Sequence, residues 1–98
     1  MSSIGQSQVN EVLNEVQIEI EMAMFLRPPM ASRHEAKAVI EEELDEFWDE
    51  VKLNPNKMSQ QSRQLWKWRM RQELVQIAAM AVRSIVDLDL FTLKSERS

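Results

Sequence analysis

The chain has 98 residues, 29% of them charged, with a formal net charge of −4 at pH 7, and this length predicts a single domain over residues 1–98. The absence of cysteine excludes a disulfide framework and a thiolate metal site, and it is typical of a reducing, cytoplasmic compartment. The negative charge argues against duplex nucleic acid as a partner, and no apolar run approaches the roughly 18 residues that predict a membrane span.

The first predicted element is an amphipathic helix over residues 6–26. Two consecutive prolines, Pro28 and Pro29, follow it and end it, because proline has no amide hydrogen to donate. With one glycine and three prolines in the whole chain, little turn chemistry remains for a sheet, and we predict an all-α fold. The apolar stripe of this first helix recurs at spacings of three and four residues and consists of Val9, Val12, Leu13, Val16, Ile20, Ala23 and Met24.

The second predicted helix spans about 32–53 and begins with a capping box, Ser32 followed three residues later by Glu35. Like charges three and four residues apart repel by about 0.2 to 0.5 kcal/mol per pair. Residues 41–50 of this helix are mostly acidic, and their repulsion predicts an outside cation, either a divalent metal or a basic neighbouring helix. Its apolar face consists of Ala36, Ile40, Leu44, Phe47 and Val51. Seven of the ten residues from 41 to 50 are acidic and none is basic: Glu41, Glu42, Glu43, Asp45, Glu46, Asp49 and Glu50.

The third predicted helix spans about 62–88, after a polar loop that begins at Asn54 and Pro55, and a tail after Leu90 is expected to add a short turn or to fray. Three long helices with short connections predict an antiparallel bundle. Because a chain of this size buries only about 60 to 65% of its unfolded surface, we expect dimerisation to complete the bundle. The residues predicted on the buried side of the third helix are Met70, Leu74, Ile77, Ala78, Ala81 and Ile85.

Carboxylates on two of these helices are candidates for a shared metal site. On a helical wheel, Glu43 and Glu46 lie along one flank of the apolar stripe, and their i, i+3 spacing allows both to bind one ion. Glu73 lies beside the stripe of the third helix, with Gln76 one turn on and further round. Oxygen ligands of this kind suit Mg²⁺, or Mn²⁺ in its place.

A simpler interpretation is that the acidic face is a solvated surface and that Glu73 extends its carboxylate to solvent or pairs with Arg69. The basic residues between 51 and 72 would then be ordinary countercharges for the acidic helix. Alternatively Lys57, Arg63 or Lys67 binds phosphate oxygens beside a metal. Spacing alone does not choose between these interpretations.

The same residues carry a resemblance to a known family. Glu42-Glu43-Leu44-Asp45-Glu46 resembles the Glu-Glu-x-x-Glu element of the MazG-like all-α nucleoside triphosphate pyrophosphohydrolases. Glu73-Leu74-Val75-Gln76 follows where that family carries Glu-x-x-Asp, with Glu73 27 residues after Glu46. The resemblance covers roughly residues 34–88.

The resemblance implies Mg²⁺-dependent hydrolysis of a nucleoside triphosphate to the monophosphate and pyrophosphate. By position, Glu43, Glu46 and Glu73 would be metal ligands, and Glu42 would be a ligand or an outer-shell base. Gln76 holds the fourth metal position of the family motif. The expected assembly is a homodimer or a homotetramer.

Gln76 is a departure from the family's aspartate. Its amide can offer a metal one carbonyl oxygen but no negative charge, which predicts weaker metal binding. A second hypothesis is therefore a weakly active or inactive MazG-like bundle that binds a nucleotide or a protein partner. A third is a helical oligomerisation module without a ligand.

Overall fold

A computed structural model describes residues 3–91 of the chain, and these residues form three α-helices and no strand. Helix α1 spans Ser3–Leu26, α2 spans Arg33–Val51 and α3 spans Gln60–Asp87, with a short 3-10 turn at Pro55–Lys57. The predicted all-α fold with three main helices is thus confirmed. The tail predicted after Leu90 lies almost wholly outside the described residues, which also contain no helix long and apolar enough to cross a bilayer.

Local hydrogen bonds explain where α2 and α3 begin. The Ser32 hydroxyl accepts a hydrogen bond from the Glu35 backbone amide at 3.0 Å, as the capping pattern predicts. Ser59 caps α3 in the same way by accepting from the Ser62 amide at 3.1 Å. Helix α3 therefore begins two residues before its predicted start at Ser62.

Helix α3 lies between the other two helices and contacts both. It runs antiparallel to α2, since Arg69 near its start donates to Glu50 near the end of α2 at 2.9 Å. It runs parallel to α1, since Arg71 pairs with Glu11 of α1 at 2.7 Å, while Arg83, a dozen residues later, reaches the carboxyl end of α1. Consecutive helices are therefore antiparallel.

The core is small and is centred on one face of α3. That face agrees with the predicted one in part, because the predicted Ala78 packs against the core but Leu74 and Ile85 are 48% and 44% exposed. The reason is that α3 packs against two helices at once. In the orientation that allows both contacts, Val75 is buried and Leu74 is exposed. The buried apolar residues are Val16, Met30, Ala36, Val75, Ala79 and Met80.

The molecule is also elongated. Its radius of gyration is 16.6 Å, against about 13 Å for a compact domain of 100 residues. Val12 and Leu13, both in the predicted stripe of α1, are 38% and 59% exposed. The outer sides of α1 and α3 thus keep apolar surface that nothing in the described part of the chain covers.

A buried arginine joins the end of α1 to α3. Arg83 is 3% exposed, and its Nε donates to Asp87 Oδ2 at 2.9 Å. Asp87 Oδ2 also accepts from the Met30 amide at 3.0 Å, so the loop between α1 and α2 is held by the same pair. The rest of the Arg83 guanidinium donates to three backbone carbonyls of α1 and its end: Ala23 at 2.5 Å, Arg27 at 2.7 Å and Pro28 at 2.6 Å.

Candidate metal centre

Three of the predicted carboxylates converge between α2 and α3. Glu43 and Glu46, one helical turn apart on α2, face Glu73 on α3, and one oxygen of each lies within 4.8 Å of the other two. The three carboxylates lie close together because α2 and α3 pack against each other in antiparallel orientation. Glu43 and Glu73 are half-buried, whereas Glu46 is exposed at the edge of the group.

The environment of Glu73 disfavours its charged form. Burial, followed by the neighbouring carboxylate of Glu46 and then those of Glu43 and Glu50, raises the pKa of Glu73 from 4.5 to about 7. Its Oε2 atom is buried and has no hydrogen-bond partner within residues 3–91. A buried carboxylate oxygen without a donor is costly, because it has lost water without gaining a replacement.

Glu43 is affected in the same direction. Burial, the charge of Glu46 and the charge of Glu42 raise the pKa of Glu43, while the Arg27 guanidinium opposes the rise. Within the described part of the chain, neither Glu43, Glu46 nor Glu73 forms a salt bridge. Like charges are thus held together without a paired cation.

The acidic helix does receive countercharges elsewhere. Arg69 binds Glu50 at 2.9 Å, not Glu73 as the simpler interpretation predicted, and Lys52 binds Asp49 at 3.1 Å. Lys37 binds the exposed Glu41 at 2.7 Å. The basic residues therefore neutralise the ends and outer face of α2 and leave the three central carboxylates alone.

The three carboxylates fit a divalent cation by their chemistry. Their donor set consists only of oxygens, which Mg²⁺ prefers, and two ligands of one Mg²⁺ lie about 3 to 4 Å apart. The partnerless Glu73 Oε2 and the raised pKa values of Glu43 and Glu73 are properties that a bound cation would reverse. Glu42 is exposed beside this group and does not belong to it.

Gln76 contacts α1, and within residues 3–91 it forms no hydrogen bond with the three carboxylates. Its Nε2 atom donates to Glu19 Oε2 of α1 at 2.6 Å. Both side chains line a cavity of about 190 Å³ that also reaches Glu43 and Arg27. Glu19 and Arg27 were not among the predicted site residues. For Arg27 a signal existed, because it is the sole lysine or arginine among the first 32 residues.

The three predicted phosphate-binding residues lie near the start of α3 or before it. Arg63 is half-buried, and its Nη2 atom donates to the Pro55 carbonyl at 3.0 Å, which ties α3 to the 3-10 turn. Lys57 and Lys67 are exposed. None of the three belongs to the cavity that Arg27 lines.

The raised pKa of Glu73 predicts that, without metal, stability falls as pH rises. Between 4.5 and about 7 the folded protein binds more protons than the unfolded chain, so the stabilisation is complete below pH 4.5 and lost as pH passes 7. Glu73→Gln stays neutral and should be more stable than the parent at pH 8 by about 1 kcal/mol, a figure reduced for partial solvent exposure.

Urea unfolding in EDTA at pH 5.5 and pH 8 measures this difference. The control is Asp45→Asn, which removes an exposed charge from α2 and should leave the pH dependence as it is. Equal loss of stability with pH in the parent and in Glu73→Gln would refute the assignment.

Comparison with known proteins found no relative of this chain. No protein-family model matches the chain, and neither a curated protein nor a solved structure matches it.

Proposed function

We propose that the protein is a Mg²⁺-dependent nucleoside triphosphate pyrophosphohydrolase, which cleaves between the α- and β-phosphates and releases the monophosphate and pyrophosphate. The observation that carries the proposal is the meeting of Glu43, Glu46 and Glu73, with no cation of the described chain paired to them. These are the residues that the resemblance to the MazG-like family assigns as metal ligands. The proposed place of action is the cytoplasm, where such an enzyme would control a nucleotide pool.

The three carboxylates would hold Mg²⁺ between α2 and α3. When bound, this ion would neutralise charge on the phosphates and make a coordinated water more acidic. Glu43, Glu46 and Glu73 would fix where the triphosphate lies, because they would hold the ion to which its phosphate oxygens bind. Half-burial of Glu43 and Glu73 keeps bulk water from one side of the site.

Neighbouring residues receive roles from their positions. Glu42 is exposed next to Glu43 and is the proposed acceptor of the proton from the attacking water. Arg27 opposes the rise in the pKa of Glu43 and is the proposed cation for a phosphate bound beside Glu43. Lys57 and Lys67 are proposed to bind the terminal phosphate if the triphosphate extends toward the start of α3.

The test of the proposed function is pyrophosphate release from ribo- and deoxyribonucleoside triphosphates with Mg²⁺ or Mn²⁺. We expect release that EDTA abolishes. The second candidate function is nucleotide or protein binding without hydrolysis, which the contact between Gln76 and Glu19 favours because it holds the Gln76 side chain against α1. A silent parent protein together with activity in Gln76→Asp would show a scaffold that has lost a metal ligand and would favour this second candidate.

We further propose that two copies associate through the outer sides of α1 and α3. Val12, Leu74 and Ala78 line an apolar groove of about 240 Å³ between these helices, and a second apolar hollow of about 510 Å³ continues from Val12 along α1. A second copy supplies a matching apolar face by symmetry. Its burial would also complete the small core of an elongated monomer.

Leu74→Glu is therefore expected to weaken self-association by at least about tenfold, since it introduces a charge into this contact. The control is Leu65→Glu, on the same helix and 53% exposed against 48% for Leu74, but nine residues away and so on the opposite face. Sedimentation equilibrium measures both, with helical circular dichroism as the check on folding. Equal association of the two variants, or a monomeric parent, would contradict the proposed interface.

A further inference from the structure

A second feature lies next to the three carboxylates. The cavity of about 190 Å³ is formed by all three helices and has Glu43 in its wall. It is smaller than the roughly 300 to 1,000 Å³ of pockets for drug-sized ligands, so it has room for one ring system of a larger ligand. Its lining consists of Glu19, Met22, Ala23, Leu26, Arg27, Glu43, Gln76 and Met80.

The chemistry of this lining is divided between polar and apolar groups. Met22, Leu26 and Met80 offer the apolar and polarizable surface on which a flat ring lies well. Glu19 and Gln76 form the polar part, where the Gln76 amide donates to Glu19 Oε2 at 2.6 Å. This contact orients both side chains.

Two acceptor atoms of this pair are left over. Within residues 3–91, Glu19 Oε1 and Gln76 Oε1 have no hydrogen-bond partner. An ionised carboxylate only accepts hydrogen bonds, and an amide carbonyl likewise only accepts. A ring that enters the cavity is therefore favoured if it presents N–H donors at its edge.

From this, and resting on the proposed function, we infer that the cavity binds the nucleobase of the triphosphate and that Glu19 and Gln76 select bases with an exocyclic amino group. Adenine, cytosine and guanine carry such a group, whereas thymine and uracil present carbonyl oxygens in its place. A carbonyl oxygen against Glu19 would meet a second acceptor and lose the hydrogen bonds that it makes with water. Glu43, in the wall of the same cavity, would then lie between the base and the metal-bound phosphates.

The test compares kcat/KM for the amino-bearing deoxynucleoside triphosphates with those for dTTP and dUTP. We expect the parent to prefer the amino-bearing set by about tenfold or more, and Glu19→Gln to reduce this preference by about tenfold, because glutamine also donates. The control is Glu21→Gln, which removes an exposed charge from α1 outside the cavity and should keep the parent's preference. A preference for dTTP or dUTP in the parent, or an unchanged preference in Glu19→Gln, overturns the inference.

A second measurement separates this inference from the proposed function. Deoxycytidine and thymidine, which lack phosphates, are titrated into labelled protein without metal while the Gln76 side-chain amide is followed by NMR. A shift with deoxycytidine and none with thymidine supports the base site even if no triphosphate is hydrolysed. Triphosphate hydrolysis without any shift of Gln76 overturns the base site and leaves the hydrolase standing.

Discussion

Glu46→Gln is expected to lower Mg²⁺-dependent pyrophosphate release by at least about 100-fold. The substitution keeps the size of the side chain but removes one of three negative charges that would hold the ion. Glu46 is exposed and forms no salt bridge within the described residues, so its loss should leave the fold intact. Removing its charge also relieves repulsion on Glu43 and Glu73, and the variant should be at least as stable as the parent without metal.

The matched control for this variant is Asp45→Asn. It makes the same change of net charge one residue earlier, at an exposed position outside the cluster. Activity should therefore survive in Asp45→Asn. Comparable activity in Glu46→Gln and the parent would show that the cluster is not the site of hydrolysis.

Arg83→Met is expected to lower the free energy of unfolding by about 3 to 5 kcal/mol, the usual cost of removing one partner from a buried ion pair. The methionine fills much of the same space but leaves Asp87 as a buried charge, with the Met30 amide as its remaining partner. Three carbonyls around the end of α1 also lose the Arg83 donor, although the Ala23 carbonyl keeps the Arg27 amide. Against a total stability of roughly 5 to 15 kcal/mol, this loss is large.

Urea unfolding measures this loss, and Arg71→Met is the control. Arg71 is on the same helix and also binds α1, through Glu11 and Glu15, but its side chain is 42% exposed. Exposed ion pairs contribute about 0 to 1 kcal/mol, so this control should change stability little. Similar losses in both variants would contradict the role given to the buried arginine.

The helices could be predicted because their signals are local. Ser32 and Glu35 mark the start of α2 within four residues, and the prolines after Arg27 mark the end of α1. The buried face of α3 could not be predicted in this way. Leu74 and Val75 are adjacent and both apolar, and which one turns inward depends on the positions of two other helices.

In the candidate site, too, the residues with local sequence signals could be predicted, and the contacts between distant residues could not. Glu43 and Glu46 were predictable from their spacing within one helix, and Glu73 from its place beside an apolar stripe and from the family resemblance. The contact between Gln76 and Glu19 joins residues 57 positions apart, and no periodic pattern encodes it. Arg27 likewise reaches the cavity because the Arg83 contacts hold the end of α1 beside α3.

Calorimetric titration of the protein with Mg²⁺ at pH 8, without nucleotide, tests whether Glu43, Glu46 and Glu73 form a metal centre. We expect a saturable site in the parent and in Asp45→Asn, and no such site in Glu46→Gln. Equal Mg²⁺ binding by all three proteins, or none by the parent, would contradict the claim that Glu43, Glu46 and Glu73 form a metal centre.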